Sequence, residues 1–295
     1  MALGGRTSRH LSFLCLLSLA GALLHCQAAA QPAPKKLRLG IAATNVGFLP
    51  IYAAHQRGFF RDEGIDLEII LMSLAAANNA FFKGEIEYSA GLTGLAAAAV
   101  RNYPAKILFF NVAKPLQSLV SRKEIKEPRE LKGKKIAGST PGGSATILAY
   151  QALRHFGLEP GRDVTVVPIG GSGAARLAVL EQGLVDASVL SVPENIIALQ
   201  RGYNELIFIG DIVTFPQNGF GTSVTQIQQQ PDEVYRMVRA ALRGLAKDAV
   251  ISPEGVQYFV DLTRETAKIE QPISASQIVD FSFVERARRE LRGAR

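Results

Sequence analysis

Apolar and polar positions alternate with a strand's period over residues 37–42, Leu37 to Ala42. A helix follows, with Pro50 in its first turn, where a missing N–H costs nothing. Gly58 and Gly64 interrupt the next stretch. Residues 67–72 then read as a second strand, 74–82 as a helix stopping at Gly84, and 88–92 as a third strand. The same order returns later. Residues 134–138 open a strand. Ala145, Leu148, Ala149, Ala152, Leu153 and Phe156 form an apolar helical stripe that Gly157 is placed to cap. Residues 164–169 are the next strand, 174–182 a helix ending at Gly183, and 185–190 another strand.

The two series lie about 97 to 99 residues apart: Lys35-Lys36 aligns with Lys134-Lys135, and Gly84-Glu85-Ile86-Glu87 with Gly183-Leu184-Val185-Asp186. Strands alternating with helices imply mostly parallel sheets flanked by helices, an α/β fold. The repeat implies two similar lobes, one continuous sheet being the alternative. Beyond Phe215 the pattern turns helical, over residues 231–249, 253–265 and 274–291. Such a tail packs most simply on the first lobe. The chain then crosses between lobes twice, near residues 118–121 and 211–215, and two crossover segments make a hinge. The expected division is a signal peptide over 1–30, lobe 1 over 36–120, lobe 2 over 121–212, and a return to lobe 1 over 213–295.

The start of the chain differs from the rest. Arg6 and Arg9 precede a short apolar run over residues 11–24, and Ala28-Ala29-Ala30 precedes Gln31. This is the pattern of a cleaved secretory signal, and the run is shorter than the roughly 20 residues a spanning helix needs. The expected location is therefore periplasmic or otherwise extracytoplasmic. Cys15 and Cys26 are the two cysteines of the sequence, and both fall in this segment. Cleavage after Ala30 leaves no thiol for a disulfide, metal site or nucleophile. A lipid anchor on Cys26 is the alternative, although His25 precedes it where lipoproteins carry a small residue.

The composition, 47% hydrophobic and 20% charged, is that of an ordinary globular chain. The formal charge is +7; losing two arginines and no acid with the leader leaves +5. No aromatic stacking pattern accompanies the scattered basic residues, which argues against nucleic-acid binding.

In open parallel sheets, ligands bind beyond the carboxyl ends of the strands. Here those positions are rich in Gly, Ser, Thr and Asn: Thr44-Asn45-Val46-Gly47-Phe48, Ser73, Thr93-Gly94, Ser139 and Thr140 with Gly142-Gly143-Ser144, Gly170-Gly171-Ser172-Gly173, and Ser191 to Glu194. Small residues admit a ligand to the backbone, and helix N-termini offer free N–H groups to anions. Each loop alone is equally explained by helix capping; six on one edge point to binding. Gly171-Ser172-Gly173 lacks the third glycine of a dinucleotide fingerprint, Arg176 standing there. No phosphate-loop lysine or Gly-x-Ser-x-Gly elbow occurs. His55 and His155, the histidines beyond the leader, read as surface or helix-packing residues, not metal ligands. No cofactor is expected, and binding is favoured over catalysis.

The run Leu39-Gly40-Ile41, Asn45-Val46-Gly47-Phe48-Leu49-Pro50-Ile51-Tyr52, and Gly58-Phe59-Phe60-Arg61-Asp62-Glu63-Gly64-Ile65-Asp66 resembles the start of ABC-transporter substrate-binding proteins of the nitrate/sulfonate/taurine type, which are grouped with thiamine-pyrimidine-precursor binders. Lys83-Gly84-Glu85-Ile86-Glu87, Gln182-Gly183-Leu184-Val185-Asp186 and Lys132-Gly133-Lys134-Lys135-Ile136 are similar to further family segments. Glu87 replaces the usual Asp. Residues 220–226 lack the family's apolar strand, and the Cys-rich motif of the enzyme branch is missing. The resemblance implies a two-lobed type II periplasmic binding protein fold and a monomer that captures a small solute for an ABC permease. It also implies a ligand site at Asn45, Phe48, Ser73, Thr93, Thr140, Ser144, Ser172 and Glu194. The donor-rich, charge-poor loops favour an anionic organic solute. An enzyme of the same fold, or a ligand-sensing subunit for a membrane receptor, remains the alternative.

Overall fold

The computed structural model describes residues 33–42, 44–245 and 251–293. The expected leader, with Cys15 and Cys26, lies outside the described residues.

In chain order the elements are β1 (Lys35–Ile41), α1 (Leu49–Gln56), α2 (Phe59–Asp62), β2 (Ile65–Leu71), α3 (Leu74–Phe82), β3 (Tyr88–Ser89), α4 (Leu92–Ala99), β4 (Ala105–Val112) and β5 (Gln117–Ser121). Then come β6 (Lys135–Gly138), α5 (Ser144–His155), β7 (Thr165–Pro168), α6 (Gly173–Glu181), β8 (Ala187–Ser191), α7 (Glu194–Gln200) and β9 (Asn204–Phe208). The chain ends with β10 (Gln217–Ser223), α8 (Val224–Gln229), α9 (Pro231–Arg243), α10 (Pro253–Thr266), α11 (Ala275–Ile278) and α12 (Ser282–Gly293).

Two five-stranded sheets form, ordered β2-β1-β3-β10-β4 and β7-β6-β8-β5-β9. They share one topology. In each, three strands pair in parallel and the fourth, β10 or β5, pairs antiparallel to both its neighbours. That fourth strand is in both cases the one that has just arrived from the other sheet. The molecule is thus two α/β lobes of matching plan, not one continuous sheet.

The crossings differ from expectation in a way that matters below. The chain leaves the first sheet at Val112 and has entered the second by Gln117, so it crosses over residues 113–116. The stretch 118–121 lies inside β5, and all of β5 is buried. Its serines look like linker residues but are satisfied in the interior. Ser121 Oγ donates to Ile125 O at 2.7 Å, and Ser118 Oγ accepts from Asn195 Nδ2 at 3.1 Å. The return runs over residues 209–216 and includes the expected 211–215.

The chain after Phe215 is not helical at once. Gln217-Asn218-Gly219-Phe220-Gly221-Thr222-Ser223 forms β10, between β3 and β4. Its glycines reflect close backbone approach: a Cβ on Gly219, at φ 139°, would lie 1.9 Å from Phe109 O, and one on Gly221 would lie 2.3 Å from Lys106 O. The expected 274–291 helix is two, α11 and α12. Residues 246–249 of the expected 231–249 helix lie outside the described residues, and α9 ends at Arg243.

The tail packs on the first lobe. α9 contacts α1, α2, α8 and α12, with Val234, Met237, Val238 and Ala241 fully buried. α10 contacts α4, and its Val256, Phe259 and Val260 join an apolar cluster that holds Leu95 and Ile107 of the first lobe with Leu148 and Leu153 of the second. Among the described residues, no helix is long and apolar enough to cross a membrane.

Candidate ligand-binding cleft

The carboxyl ends of the parallel strands in both sheets lead into one cleft of about 300 Å³. In the first lobe, a single 3₁₀ turn over Val46–Phe48 follows β1. Asn45 caps it, its Oδ1 accepting from Gly47 N at 2.9 Å. Asn218 of β10 packs on this turn: its Nδ2 donates to Asn45 Oδ1 at 3.4 Å, and a Cβ on Gly47 would lie 2.2 Å from Asn218 Oδ1. Asn111 Nδ2 donates to Gly47 O at 2.9 Å from beneath. These contacts fix the turn and place Phe48, 5% exposed, on the cleft wall. Ser73 caps α3, its Oγ accepting from Ala76 N at 3.2 Å, and Thr93 is the second residue of α4.

In the second lobe, Thr146 holds the loop before α5: its Oγ1 donates to Ser139 O at 2.8 Å, and Gly143 N donates to Thr140 O at 2.9 Å. Gly143 is the N-cap of α5 and makes no side-chain cap bond. Ser144 is therefore the first helical residue, not the cap. Ser172 occupies the N-cap of α6, again without a side-chain cap bond, and Glu194 begins α7.

All eight residues singled out in the sequence, Asn45, Phe48, Ser73, Thr93, Thr140, Ser144, Ser172 and Glu194, border this cleft. Others that sequence reasoning missed also line it: Gln117, Gln217, Asn218, Arg176, Phe215 and Phe259. Gln117 and Gln217 begin β5 and β10, the two crossing strands, 100 positions apart.

The cleft carries one cation and one anion of note. Arg176 is 6% exposed, and its Nε donates to Val189 O at 2.9 Å. Burial pushes its pKa down, and the charge of Glu194 pulls it back up. The Glu194 carboxylate lies over the start of α6, where a Cβ on Gly173 would come within 2.7 Å of it. That position suits an acid, because a helix N-terminus carries partial positive charge. Even so, Glu194 Oε2 is buried without a hydrogen-bond partner, as are Gln117 Oε1 and Gln217 Nε2. Buried polar atoms are rarely left unpaired, and here three of them belong to residues that line one cleft.

The lobes touch around the cleft. Val46 N donates to Val192 O at 3.5 Å, joining the first lobe's turn to the second lobe's β8–α7 loop. α10 reaches α5 through Tyr258 Oη donating to Gln151 Oε1 at 3.0 Å and through an Arg154–Glu265 ion pair at 3.1 Å. The two histidines stand away from the cleft: His55 Nε2 lies 2.9 Å from Leu67 O, and His155 meets the Phe156 ring edge-on. No group of three or more His, Cys, Asp or Glu among the described residues is placed to hold a metal.

The model of the NMT1/THI5-like family matches residues 45–255. Riboflavin-binding protein RibY of Chloroflexus aurantiacus is 26% identical over 239 residues, which cover 76% of this chain and 65% of that protein. The chain thus spans about two thirds of that relative's length. A solved Bordetella bronchiseptica protein superposes with a TM-score of 0.73 at 18% identity, covering 89% of this chain and all of that one. The periplasmic aliphatic sulphonate binding protein SsuA of Escherichia coli gives 0.60 at 18% identity, over 84% of this chain and 92% of that one. At such identities the likeness is one of fold, and the fold is that of periplasmic binding proteins.

Proposed function

This chain belongs to the NMT1/THI5-like family, and from that premise we propose that it is an extracytoplasmic solute-binding protein. It captures a small organic solute between its lobes and hands it, unchanged, to an ABC permease in the membrane. It works as a monomer without a cofactor. One observation carries this reading: strand-end loops of two lobes with matching topology converge on a single cleft that holds unpaired buried polar atoms. Small-ligand sites are concave, mostly apolar, and supplied with a few placed polar groups. Phe48, Phe215 and Phe259 are the apolar walls here; Asn45, Ser73, Thr93, Thr140, Ser144, Ser172 and Glu194 are the polar groups proposed to meet the solute.

Part of the solute is an anionic or strongly accepting group. It sits at the start of α5, whose N-cap Gly143 has no side chain and whose first turn takes one long side-chain bond, Ser139 Oγ accepting from Thr146 N at 3.4 Å, with the buried Arg176 guanidinium also on the cleft wall. Glu194 already covers the corresponding end of α6. A thermal-shift panel on the mature protein tests the proposal, using ethanesulfonate, taurine, nitrate, amino acids, uracil, ribitol and riboflavin. A true solute at a hundredfold excess over its Kd stabilises the native state by about 2.7 kcal/mol, and mass spectrometry recovers it intact. Turnover of a bound solute would assign the chain to catalysis instead.

A further inference from the structure

Arg176 is a buried cation without an anion. It belongs to α6, is 6% exposed, and stays charged at neutral pH. Its Nε donates to Val189 O at 2.9 Å, which fixes the guanidinium in the second lobe. Its Nη1 and Nη2 make no hydrogen bond or ion pair with the described residues. They differ from Gln117 Oε1, Gln217 Nε2 and Glu194 Oε2, which are sealed: the outer end of the guanidinium keeps its contact with open space, and the space that Arg176 borders is the cleft. The charge of Glu194 acts on Arg176 from a distance, but the two side chains form no ion pair. A buried charge with no partner is unfavourable, and an apolar side chain would serve packing better.

We propose that Arg176 is a specificity-determining residue that takes a carboxylate of the solute on its Nη1–Nη2 edge. This deepens the solute-binding reading above and rests on it, naming the solute class as a monocarboxylate with an apolar body. The form of the group follows from the edge. With Nε committed to Val189 O, two parallel N–H bonds remain at the outer end, and they match the two coplanar oxygens of a carboxylate. A sulfonate fills the same edge with two oxygens and leaves its third without that partner. The single charge follows from the lining. Arg176 and Glu194 are the charged residues of the cleft wall, and Glu194 already covers the start of α6, so a dianion would carry one negative charge unmatched. The orientation follows from which part of the fold supplies each group. Arg176, Glu194 and the start of α5 all belong to the second lobe. Phe48 comes from the first lobe's turn, Phe215 from the return crossing and Phe259 from α10. The carboxylate is therefore held by the second lobe, and the apolar body lies toward the phenylalanines.

Acid–amide pairs test the assignment, because a primary amide keeps the shape of the acid and removes its charge. Kd is measured by calorimetry for hexanoate, benzoate and phenylacetate, each beside its amide, and for benzenesulfonate and phenylphosphonate. The proteins are the wild type, Arg176→Lys, which keeps the charge and loses the fork, and Arg176→Gln, which loses both. The expected result is that an acid binds the wild type at least tenfold more tightly than its amide and than the other two anions. Arg176→Lys narrows the acid–amide ratio, and Arg176→Gln brings it to unity. The ratio is taken within one protein, so a variant that is merely less stable does not change it. Equal binding of acid and amide by the wild type would overturn the proposal without any variant. A ratio unchanged in Arg176→Gln would make Arg176 structural and overturn it as well. Tightest binding by benzenesulfonate or phenylphosphonate would overturn the carboxylate assignment. If none of the acids binds but a member of the earlier panel does, this proposal falls and the solute-binding reading stands; if nothing in either panel binds, both fall.

Discussion

A missing Cβ has opposite meanings at two glycines of this chain. At Gly173 the atom it would meet is the Glu194 carboxylate, 2.7 Å away and at the free end of a flexible side chain. At Gly219 it is the Phe109 carbonyl oxygen, 1.9 Å away and fixed in β4, with φ at 139° besides. Gly173→Ala is therefore expected to cost less than about 1 kcal/mol and to move Glu194, whereas Gly219→Ala costs more than about 3 kcal/mol, through backbone strain and the displacement of β4 from β10. Urea unfolding of the two variants side by side checks the contrast. Ser144 supplies a test of ligand charge at the same scale. Asp at the first position of a helix is favoured by about 0.3–1 kcal/mol through the dipole, so Ser144→Asp should leave stability within about 1 kcal/mol of wild type. It also puts a negative charge where the solute's accepting group is proposed to sit. The solute-induced rise in melting temperature should then vanish; an undiminished rise would remove the anionic group from the start of α5.

At the scale of elements, the return helix α9 shows most directly how sequence pattern becomes packing. Val234, Met237, Val238 and Ala241 recur at helical spacing and are fully buried against the first lobe. Met237→Ala should cost about 2–5 kcal/mol, the usual range for emptying a buried site, and denaturant midpoints measure it. Such periodic elements were legible from the sequence, as were the capping glycines and the order of strand and helix in both repeats. β10 was not, because a strand of Gln, Asn, Gly, Thr and Ser with a single Phe has no apolar alternation. It is specified by what its glycines permit the neighbouring backbone to do, and that is a tertiary fact. The first crossing was misplaced for a related reason: Ser118 and Ser121 look like linker residues until their buried partners, Asn195 and Ile125, are known. The cleft divides in the same way. Its loop residues follow strand ends and could be found by position. Gln117, Gln217 and Arg176 lie within or at the start of regular elements, and only strand register and helix phase decide which way they face.

For the molecule as a whole, the contacts between lobes set how tightly any solute is held. We propose that the two crossing segments act as a hinge on which the lobes close over the solute, and that the side-chain contacts of α10 with α5, Tyr258 to Gln151 and Arg154 to Glu265, belong to the closed arrangement. Both are exposed. An exposed ion pair contributes about 0–1 kcal/mol and a neutral hydrogen bond about 0.5–1.5 kcal/mol, so removing both should cost the closed state about 1 kcal/mol. Neither group borders the cleft, so the intrinsic contacts with solute stay as they were. The solute enters the open form and is held when the lobes close, so the apparent Kd rises only because closing is less favourable. The double variant Tyr258→Phe, Glu265→Gln should bind a confirmed solute about fivefold more weakly, with the change in the dissociation rate. Ligand-free scattering should show a larger radius of gyration than wild type, and saturating solute should bring the two together. A Kd equal to wild type would mean that these contacts persist in every state of the molecule. Closure would then be governed by the two crossing segments and the Val46–Val192 backbone bond alone.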